Sequence, residues 1–362
     1  MTRALSVRLM LLAAAIQLIP AVTTCCGQRN QAQDWHLKWS TSEPLPEPRA
    51  DYAAGVLDGK LIIAGGTYWD GVPGHWIRKR YSASTHAFDA VSQRWQRLPD
   101  MPQAIACAAS AVVGNTLFVF GGYTGSHVSR DIFALTKKDG RYEWERKGQM
   151  AVDRLFASAL VVDKTVYFIG GSSKFEPYDA QGTCCTTNFV TKTVFAYYPG
   201  ARKESDAWRE LKPYPGAGKW MPAAIADGKA IWVFGGLSQS RVADAISMSP
   251  EVMKFDCASR AWTMETGLPD DLAQAQPLTA LKVEGNFVLF TGEKRTWRFD
   301  PATETYSETT PMPEGVAVDH FVNLNHKIIG AGGEGQREGP GRRSAATFIA
   351  VVETAKPSGL DR

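Results

Sequence analysis

The chain of 362 residues carries 40 basic and 37 acidic side chains, giving a formal charge of +3, and 44% of its residues are hydrophobic. This composition is typical of a globular protein. The longest basic run is Arg78-Lys79-Arg80, so nucleic-acid binding, which needs many phosphate contacts, is poorly supported.

The first 26 residues are typical of a secretory signal peptide. Arg3 and Arg8 give a positive start, and residues 9–19 are mostly apolar but too few for an ordinary membrane-spanning helix. We therefore expect export to the periplasm, to the outer membrane surface or out of the cell. Cys25 is a candidate for lipidation, which would anchor the protein to a membrane.

A repeat follows from residue 39 to residue 352. In six places an aromatic residue precedes a glycine by 27 to 30 residues, whereas the return distances range from 14 to 37: Trp39 and Gly66, Trp95 and Gly122, Trp144 and Gly171, Trp208 and Gly236, Trp262 and Gly292, Tyr306 and Gly333. A segment of nearly constant length thus alternates with one of variable length. This favours a single closed array of repeats over two separate domains.

Each repeat predicts four strands. The first is rich in small residues, as in 106–110, and the second is bulkier, as in 117–120. A turn pair such as Asp58-Gly59 joins them, as in tight hairpins. A glycine pair ends the second strand; a third strand follows a loop, and the fourth carries the aromatic residue. Small side chains on the first strands are expected if six such strands converge on a crowded central axis.

This arrangement of aromatic residues and glycine pairs within four-stranded units resembles the kelch repeat. Six such units imply an all-β, six-bladed β-propeller. The fifth unit departs from the pattern, with Thr291-Gly292 for the glycine pair and Tyr306 for the tryptophan. We expect the aromatic rings to pack between blades.

The two ends of the repeat array predict how the ring closes. The strand of Trp39 has no blade before it, and the run 345–352 is a third strand with no successor. Joining them completes a sixth blade and removes an exposed edge. We therefore expect the propeller to span residues 27–353 and to be followed by a disordered tail, 354–362.

The variable segments indicate where function resides. Connections between second and third strands share one rim with the crossings between blades, and loops on a rigid scaffold are frequent binding sites. The predicted rim loops are 67–83, 123–130, 172–192, 237–250, 293–294 and 334–344.

The first of these loops is the main candidate for binding. Its candidate side chains are Tyr68, Trp69, Asp70, His75, Trp76 and Arg78. Aromatic faces stack on sugar rings, and charged groups orient the polar ones, so the mixture suits a polar ligand or an anionic sugar. The alternative is a loop folded on its own aromatic core.

Arg49 and Arg154 are candidates for binding a carboxylate. Each lies ten residues after its repeat's aromatic residue, so both are expected at the same crossing position. Arginine pairs with carboxylates in a bidentate manner. A structural ion pair is at least an equal interpretation.

Glu293, in the shortest loop beside Lys294 and Arg295, is a candidate general base, and a solvated surface charge is the alternative. In the longest loop, the adjacent Cys184 and Cys185 either close a strained ring that makes a rigid knob, pair elsewhere or stay reduced. No metal-ligand spacing or phosphate-binding motif occurs, so we expect no metal and no cofactor.

The chain also resembles exported bacterial kelch proteins of the N-acetylneuraminate epimerase (sialic acid mutarotase) type. The resemblance lies in residues 61–66, in the insertion that ends Arg78-Lys79-Arg80-Tyr81-Ser82, in residues 95–99 and in Gly292-Glu293. It implies that a sugar hemiacetal opens and recloses, with Glu293 moving the proton and Arg49 or Arg154 holding a carboxylate. The competing hypothesis is a non-catalytic cell-surface module that binds a glycan or a protein.

Overall fold

The chain folds into six four-stranded antiparallel sheets, which are the blades of a propeller. A computed structural model describes residues 35–72, 75–174, 176–177, 185–186, 190–239, 246–275, 277–335 and 343–354. The prediction of an all-β, six-bladed propeller is confirmed. The signal-peptide and Cys25 predictions, Cys184 and the predicted tail beyond Thr354 lie outside the described residues.

The strands of each blade follow one another in chain order in blades 1 to 5. Blade 1 has Ala53–Leu57, Lys60–Ala64, Thr85–Asp89 and Arg94–Leu98; blade 2 has Ala109–Val113, Thr116–Phe120, Asp131–Lys138 and Arg141–Gln149. Blade 3 has Ser158–Val162, Thr165–Ile169, Val194–Tyr197 and Trp208–Leu211; blade 4 has Ala223–Asp227, Ala230–Phe234, Val252–Asp256 and Ala261–Met264. Blade 5 has Leu278–Val283, Asn286–Thr291, Thr296–Asp300 and Thr305–Thr309.

Blade 6 combines both ends of the repeat array. Its strands run in the order Phe321–Leu324, Lys327–Ala331, Thr347–Thr354 and Trp35–Ser42. The last two pair along eight residues, from Trp35 opposite Thr354 to Ser42 opposite Thr347. Closure of the ring by the N- and C-terminal strands is therefore confirmed, and the final strand extends one residue beyond the predicted boundary.

Shorter strands and helices lie outside the six blade sheets. Within the described ranges, four two-stranded ladders pair Thr67–Val72 with His75–Tyr81, Glu176–Pro177 with Cys185–Thr186, Leu237–Gln239 with Ile246–Met248, and Val316–Ala317 with Glu334–Gly335. Asp270–Gln274 is an α-helix, and Glu204–Asp206 is a 3-10 turn. The first rim loop is thus a β-hairpin rather than an irregular loop.

The first strand of every blade lies at the centre of the ring and contacts the first strands of both neighbouring blades. Small side chains occupy these strands in blades 1 to 4, as predicted, because six strands converge there, whereas the first strands of blades 5 and 6 are bulkier. The largest of the boundary differences concerns the first strand of blade 2. The first strand of blade 2 begins at Ala109, because Ala106 bridges Tyr123 and Cys107 adopts a left-handed φ of 57°.

Hydrophobic clusters fill the interfaces between neighbouring blades. Phe120 of blade 2 meets Phe168 of blade 3 edge to face, with ring centroids 4.7 Å apart. Phe234 of blade 4 meets Phe299 of blade 5 in the same way at 5.3 Å. Burial of these rings is the main contribution to blade association.

The aromatic residues of the repeat also bridge the blades by hydrogen bonds. Each of five donates to a carbonyl oxygen at the end of the preceding blade: Trp39 to Thr310, Trp95 to Glu43, Trp144 to Pro99, Trp262 to Lys212, and Tyr306 to Thr266. The distances are 3.0 to 3.2 Å. Tyr306 makes the bridge with its hydroxyl group, which explains why the fifth unit tolerates the departure from tryptophan.

The crossings between blades and the segments after the glycine pairs meet at one rim. The crossing residue Ala50 bridges Thr67, Leu155 bridges Ser172, and Trp220 bridges Leu237. The predicted placement of the variable segments beside the crossings is therefore confirmed for these blades.

Candidate functional site

A cavity opens at the mouth of the central channel, on the rim that carries the variable segments. This central cavity has a volume of about 310 Å³ and is lined by the starts of the first strands. Most of its lining is small or apolar, such as Ala108, Ala157 and Pro222. Where blades 6 and 1 meet, the lining instead contains Asp51, Tyr52, Asp319 and His320.

Backbone hydrogen bonds link the crossings around this cavity. The amide of Cys107 donates to the carbonyl of Asp51 at 2.8 Å, that of Phe156 to Cys107 at 2.8 Å, and that of Met221 to Phe156 at 2.9 Å. All four residues have a left-handed φ, between 52° and 60°. Such backbone is uncommon for residues other than glycine and clusters at functional sites.

The side chain of Asp51 is ionised and held by cations. Its Oδ2 accepts a hydrogen bond from Thr67 Oγ1 at 2.7 Å and lies 3.4 Å from Lys79 Nζ and 3.2 Å from an Arg343 guanidinium nitrogen. Burial alone would raise the pKa of Asp51, but the two cations outweigh it and lower that pKa to about 2.

The neighbouring carboxyl group of Asp319 has the opposite tendency. Its Oδ2 accepts a hydrogen bond from the backbone amide of Asp51 at 2.9 Å. Burial, together with the negative charge of Asp51, raises the pKa of Asp319 well above its ordinary value. The mouth of the channel thus combines an ionised carboxylate with a protonated carboxylic acid, an arrangement found where acid and base roles are divided.

His320 follows Asp319 and also lines the central cavity. Its ring lies 5.9 Å from that of Tyr52, and burial lowers the pKa of His320 to about 4. At neutral pH the imidazole is therefore uncharged. A neutral imidazole accepts a proton, so the site contains an acid and a base in adjacent positions.

Arg49 and Arg154 do occupy equivalent crossing positions, since their carbonyl groups accept hydrogen bonds from Gly333 and Gly122 of the preceding blades. Both side chains are buried and neither lines the central cavity. Arg49 donates to the carbonyls of Gly65 and Ser84, each at 3.1 Å, and pairs with Glu47.

Arg154 donates to Thr193 Oγ1 at 2.8 Å, and burial lowers its pKa to about 10. Lys219 occupies the equivalent position in blade 4, fully buried, 2.6 Å from Glu251. In each case the cation binds the segment just before the third strand of its own blade. These contacts match the structural interpretation of the crossing arginines, and a role in holding a carboxylate stays a prediction.

The hairpin Thr67–Val72/His75–Tyr81 carries the other predicted binding residues. Tyr68 is 38% exposed and Trp69 is 9% exposed. Both line a second cavity, called the rim cavity here, which lies beside the central one and shares no lining residue with it. Asp70 forms an ion pair with Arg80 across the hairpin.

Two further residues of this hairpin, His75 and Arg78, are exposed and line neither cavity. The side chain of Trp76 lies outside the part of the chain that the structure describes. Of these predicted residues, Tyr68 and Trp69 therefore line the rim cavity, and His75 and Arg78 do not.

Glu293 is exposed, and its backbone amide donates to Thr291 Oγ1 at 3.2 Å. It does not line either cavity. Its predicted catalytic role has no support from this position and stays a prediction. Of the cysteine pair, Cys184 and the side chain of Cys185 are outside the described residues.

Sequence reasoning missed the polar groups of the central cavity. Two features of the sequence could have identified them: Asp319 and His320 interrupt a run of apolar residues at the start of blade 6, and Asp51 follows a crossing position. Their proximity was not readable, because 268 residues separate Asp51 from Asp319. Arg343, which holds Asp51, comes from yet another rim segment.

The described residues contain neither a metal cluster nor a membrane-spanning helix. Among them, no group of three or more His, Cys, Asp or Glu side chains is arranged to hold a metal ion. None of the helices within the described ranges has the length and apolarity to cross a membrane.

Comparison with known proteins supports the repeat assignment. The family model for the kelch motif matches residues 48–102 and 104–145, which cover blade 1 and most of blade 2. The solved structure of YjhT superposes with a TM-score of 0.64, covering 86% of this chain and 99% of that one. At 14% identity this likeness concerns the fold alone.

Curated proteins with similar sequences include three from eukaryotes. Kelch-like protein terF of Aspergillus terreus is 23% identical over 245 residues, 64% of this chain and 47% of that protein. Kelch-like protein 15 of Homo sapiens is 26% identical over 62% of this chain and 35% of that protein. Alpha-scruin of Limulus polyphemus is 26% identical over 67% of this chain and 24% of that protein. The match thus spans about half of these relatives or less.

Proposed function

We propose that this kelch propeller is an exported protein that interconverts the anomers of a small sugar in its central cavity. The observation that carries the proposal is the pair of carboxyl groups at the cavity mouth, Asp51 and Asp319, whose pKa values are shifted in opposite directions. Groups with pKa values moved apart in a cavity are the usual acid and base of an active site.

The reaction requires one proton to be given and one to be taken. Asp319, protonated, donates its proton to the ring oxygen of a cyclic sugar. His320, neutral, takes the proton of the anomeric hydroxyl group, the ring C–O bond breaks, and an open-chain carbonyl compound forms. Reclosure on the other face of the carbonyl reverses both transfers and yields the other anomer.

Asp51 has a supporting role in this scheme. Its charge is balanced by Lys79 and Arg343, and its backbone amide fixes the carboxyl group of Asp319. Its negative charge also raises the pKa of Asp319 and so keeps the acid protonated. The small apolar residues around the rest of the cavity limit water and leave room for one ring.

The test is NMR exchange spectroscopy of anomer interconversion, with N-acetylneuraminate and neutral aldoses as substrates. We expect the wild-type protein to accelerate exchange and Asp319→Asn to lower the rate by about 10²- to 10⁴-fold, the usual contribution of a positioned acid. Asp206→Asn, an exposed carboxylate on blade 3, is the matched control and keeps the wild-type rate.

Glu293→Gln is measured in the same assay, because the family resemblance assigns the proton transfer to Glu293. Loss of rate with Glu293→Gln but not with Asp319→Asn would move the active site to Glu293. A wild-type protein that accelerates no sugar would overturn the catalytic proposal and favour the binding module.

The binding module is the second candidate. It is favoured by the exposed apolar side chains of the hairpin, where Ile77 is 72% exposed and Tyr68 38% exposed. Exposed apolar groups on a rim are typical of surfaces that bind a glycan or a protein. In that case the wild-type protein binds its ligand without altering it.

We also propose export through residues 1–26, with Cys25 as a candidate lipid attachment site. The charged start and apolar stretch of this segment support the proposal. Mass spectrometry of the mature N-terminus checks it. Release of the protein from membranes by Cys25→Ser, but not by Cys26→Ser, would indicate lipidation, and an intact N-terminal methionine would contradict export.

A further inference from the structure

The rim cavity has the features of a binding site in its own right. Its volume is about 790 Å³, and it lies between the hairpin Thr67–Val72/His75–Tyr81 and the crossing into blade 1. The two cavities adjoin at an ion pair, since Asp51 lines the central cavity and Arg343, 3.2 Å away, lines the rim cavity.

Aromatic side chains line the rim cavity from both faces of the hairpin, since Tyr81 pairs with Thr67 and therefore points to the face opposite Tyr68. Tyr68 is partly exposed there, while Trp69 is nearly buried and fixes its strand of the hairpin. Tyr81 lies on the partner strand, and its ring is supported from behind by Tyr123 at 5.6 Å in an edge-to-face contact. The cavity therefore presents rigid aromatic surface that needs little ordering when a ligand binds.

Polar side chains line the rim cavity as well. Glu47 accepts a hydrogen bond from Ser84 Oγ at 2.9 Å, and Arg97 lies 3.6 Å from Glu47. Glu47 and Arg97 are 44% and 52% exposed, so each keeps atoms free to bind a ligand. Planar carboxylate and guanidinium groups suit pairs of neighbouring hydroxyl groups.

The charges within the rim cavity are already balanced. Each charged group has a partner of opposite sign: Glu47 has Arg49, Arg97 has Asp100, and Arg343 has Asp51. An anionic or cationic ligand would have to replace one of these pairs. A ligand without charge keeps them all.

We propose that the rim cavity is a second binding site, separate from the central cavity, and that it takes a neutral sugar unit. The apolar face of the sugar ring lies on Tyr68, and its hydroxyl groups bind Glu47 and Arg97. This inference shares the class of ligand with the proposed function and does not require the protein to be catalytic.

Saturation-transfer NMR and calorimetric titration test the site, with maltose and N,N′-diacetylchitobiose as neutral probes and N-acetylneuraminate as the charged comparison. We expect a neutral disaccharide to bind and Tyr68→Ala or Arg97→Ala to weaken its binding about tenfold or more. The matched control is Val91→Ala, which changes an exposed apolar residue of blade 1 that lines neither cavity.

The same titration in Asp319→Asn protein separates the two cavities. Binding that is lost in Asp319→Asn but kept in Tyr68→Ala would place the sugar in the central cavity and overturn the inference. Binding of N-acetylneuraminate alone, or of no probe, would overturn it too. Failure of anomer interconversion in the wild-type protein contradicts the proposed function and leaves the rim-cavity result unaffected.

Discussion

At the scale of single residues, identical side chains acquire different properties from their neighbours. Asp51 and Asp319 are joined by a hydrogen bond, yet cations surround the carboxylate of Asp51, whereas Asp319 faces that negative charge. The pKa of Asp51 falls because the cations stabilise its ionised form. The pKa of Asp319 rises because burial and the neighbouring negative charge destabilise its ionised form.

The first prediction concerns the Asp51 carboxylate. Asp51→Asn removes the carboxylate between the largely buried Lys79 and the buried Arg343 and leaves Arg343 only its pair with the half-exposed Glu334, so we expect the free energy of unfolding to fall by about 3 kcal/mol. Denaturant unfolding, monitored by fluorescence, measures this change in the free energy of unfolding. The control Glu353→Gln breaks an exposed ion pair with Lys38, which solvent screens, so its loss changes the free energy of unfolding far less. Equal losses in the two variants would contradict the prediction.

The second prediction concerns pH. The pKa of His320 is lowered from 6.5 to about 4 in the folded protein, so the unfolded chain binds the proton first as pH falls. The contribution of His320 to the free energy of unfolding is fully present above pH 6.5 and is lost as pH falls from 6.5 to 4. This loss amounts to at most about 3 kcal/mol.

Asp319 acts in the opposite sense, since its raised pKa lowers stability as pH rises. The measured quantity is therefore the difference between wild type and His320→Gln. We expect the urea midpoint of wild type to drop more steeply between pH 6.5 and 4 than that of the variant. Parallel pH profiles would show that His320 has an ordinary pKa.

At the scale of the element, the blades depend on close backbone contacts at the glycine pairs. Gly66 has a φ of 94°, and a β-carbon there would lie 2.6 Å from the carbonyl oxygen of Ala50. Its amide donates to Ile105 of the next blade at 2.8 Å, so the position joins two blades as well as ending a strand.

The third prediction compares two glycines. Gly66→Ala forces the backbone of the crossing apart, and we expect it to cost about 3 kcal/mol or more. Gly59→Ala is the matched control: its φ is 68°, but a β-carbon there meets nothing within 4 Å, so only the backbone strain of about 1 kcal/mol applies. Thermal unfolding compares the stabilities of the two variants. Similar losses of stability would mean that the close contact at Gly66 is unimportant.

At the scale of the whole molecule, the strand Trp35–Ser42 closes the ring. It covers the edge of Thr347–Thr354 along eight residue pairs, and Leu37 is fully buried in the interface with blade 5. An uncovered edge strand offers unpaired backbone groups to other chains.

The fourth prediction follows from this closure. A chain that begins at residue 43 exposes the edge of Thr347–Thr354, and we expect it to associate into larger species, visible by size-exclusion chromatography with light scattering. A chain that begins at residue 35 keeps the closing strand and is the control, with the elution of the full-length protein. Identical elution of both shortened chains would contradict the prediction.

The sequence by itself determined the propeller. The nearly constant step from each aromatic residue to its glycine reflects local physics: turn pairs, small first strands and bulky second strands recur within some 30 residues. Even the departure at Tyr306 is compatible with it, because a hydroxyl group makes the same bridge as an indole. The position of the rim that carries the variable segments followed from the same regularity.

Only the tertiary structure decided which rim residues meet. Asp51, Asp319 and Arg343 come from three segments, and the step of 268 residues between the two carboxyl groups has no periodicity that a sequence pattern reveals. Conversely, Arg49 and Arg154 had a clear pattern but are buried against the backbone of their own blades. Repeat spacing reflects the contacts that every blade makes, whereas the cluster of Asp51, Asp319 and Arg343 depends on contacts that are made where blades 6 and 1 meet.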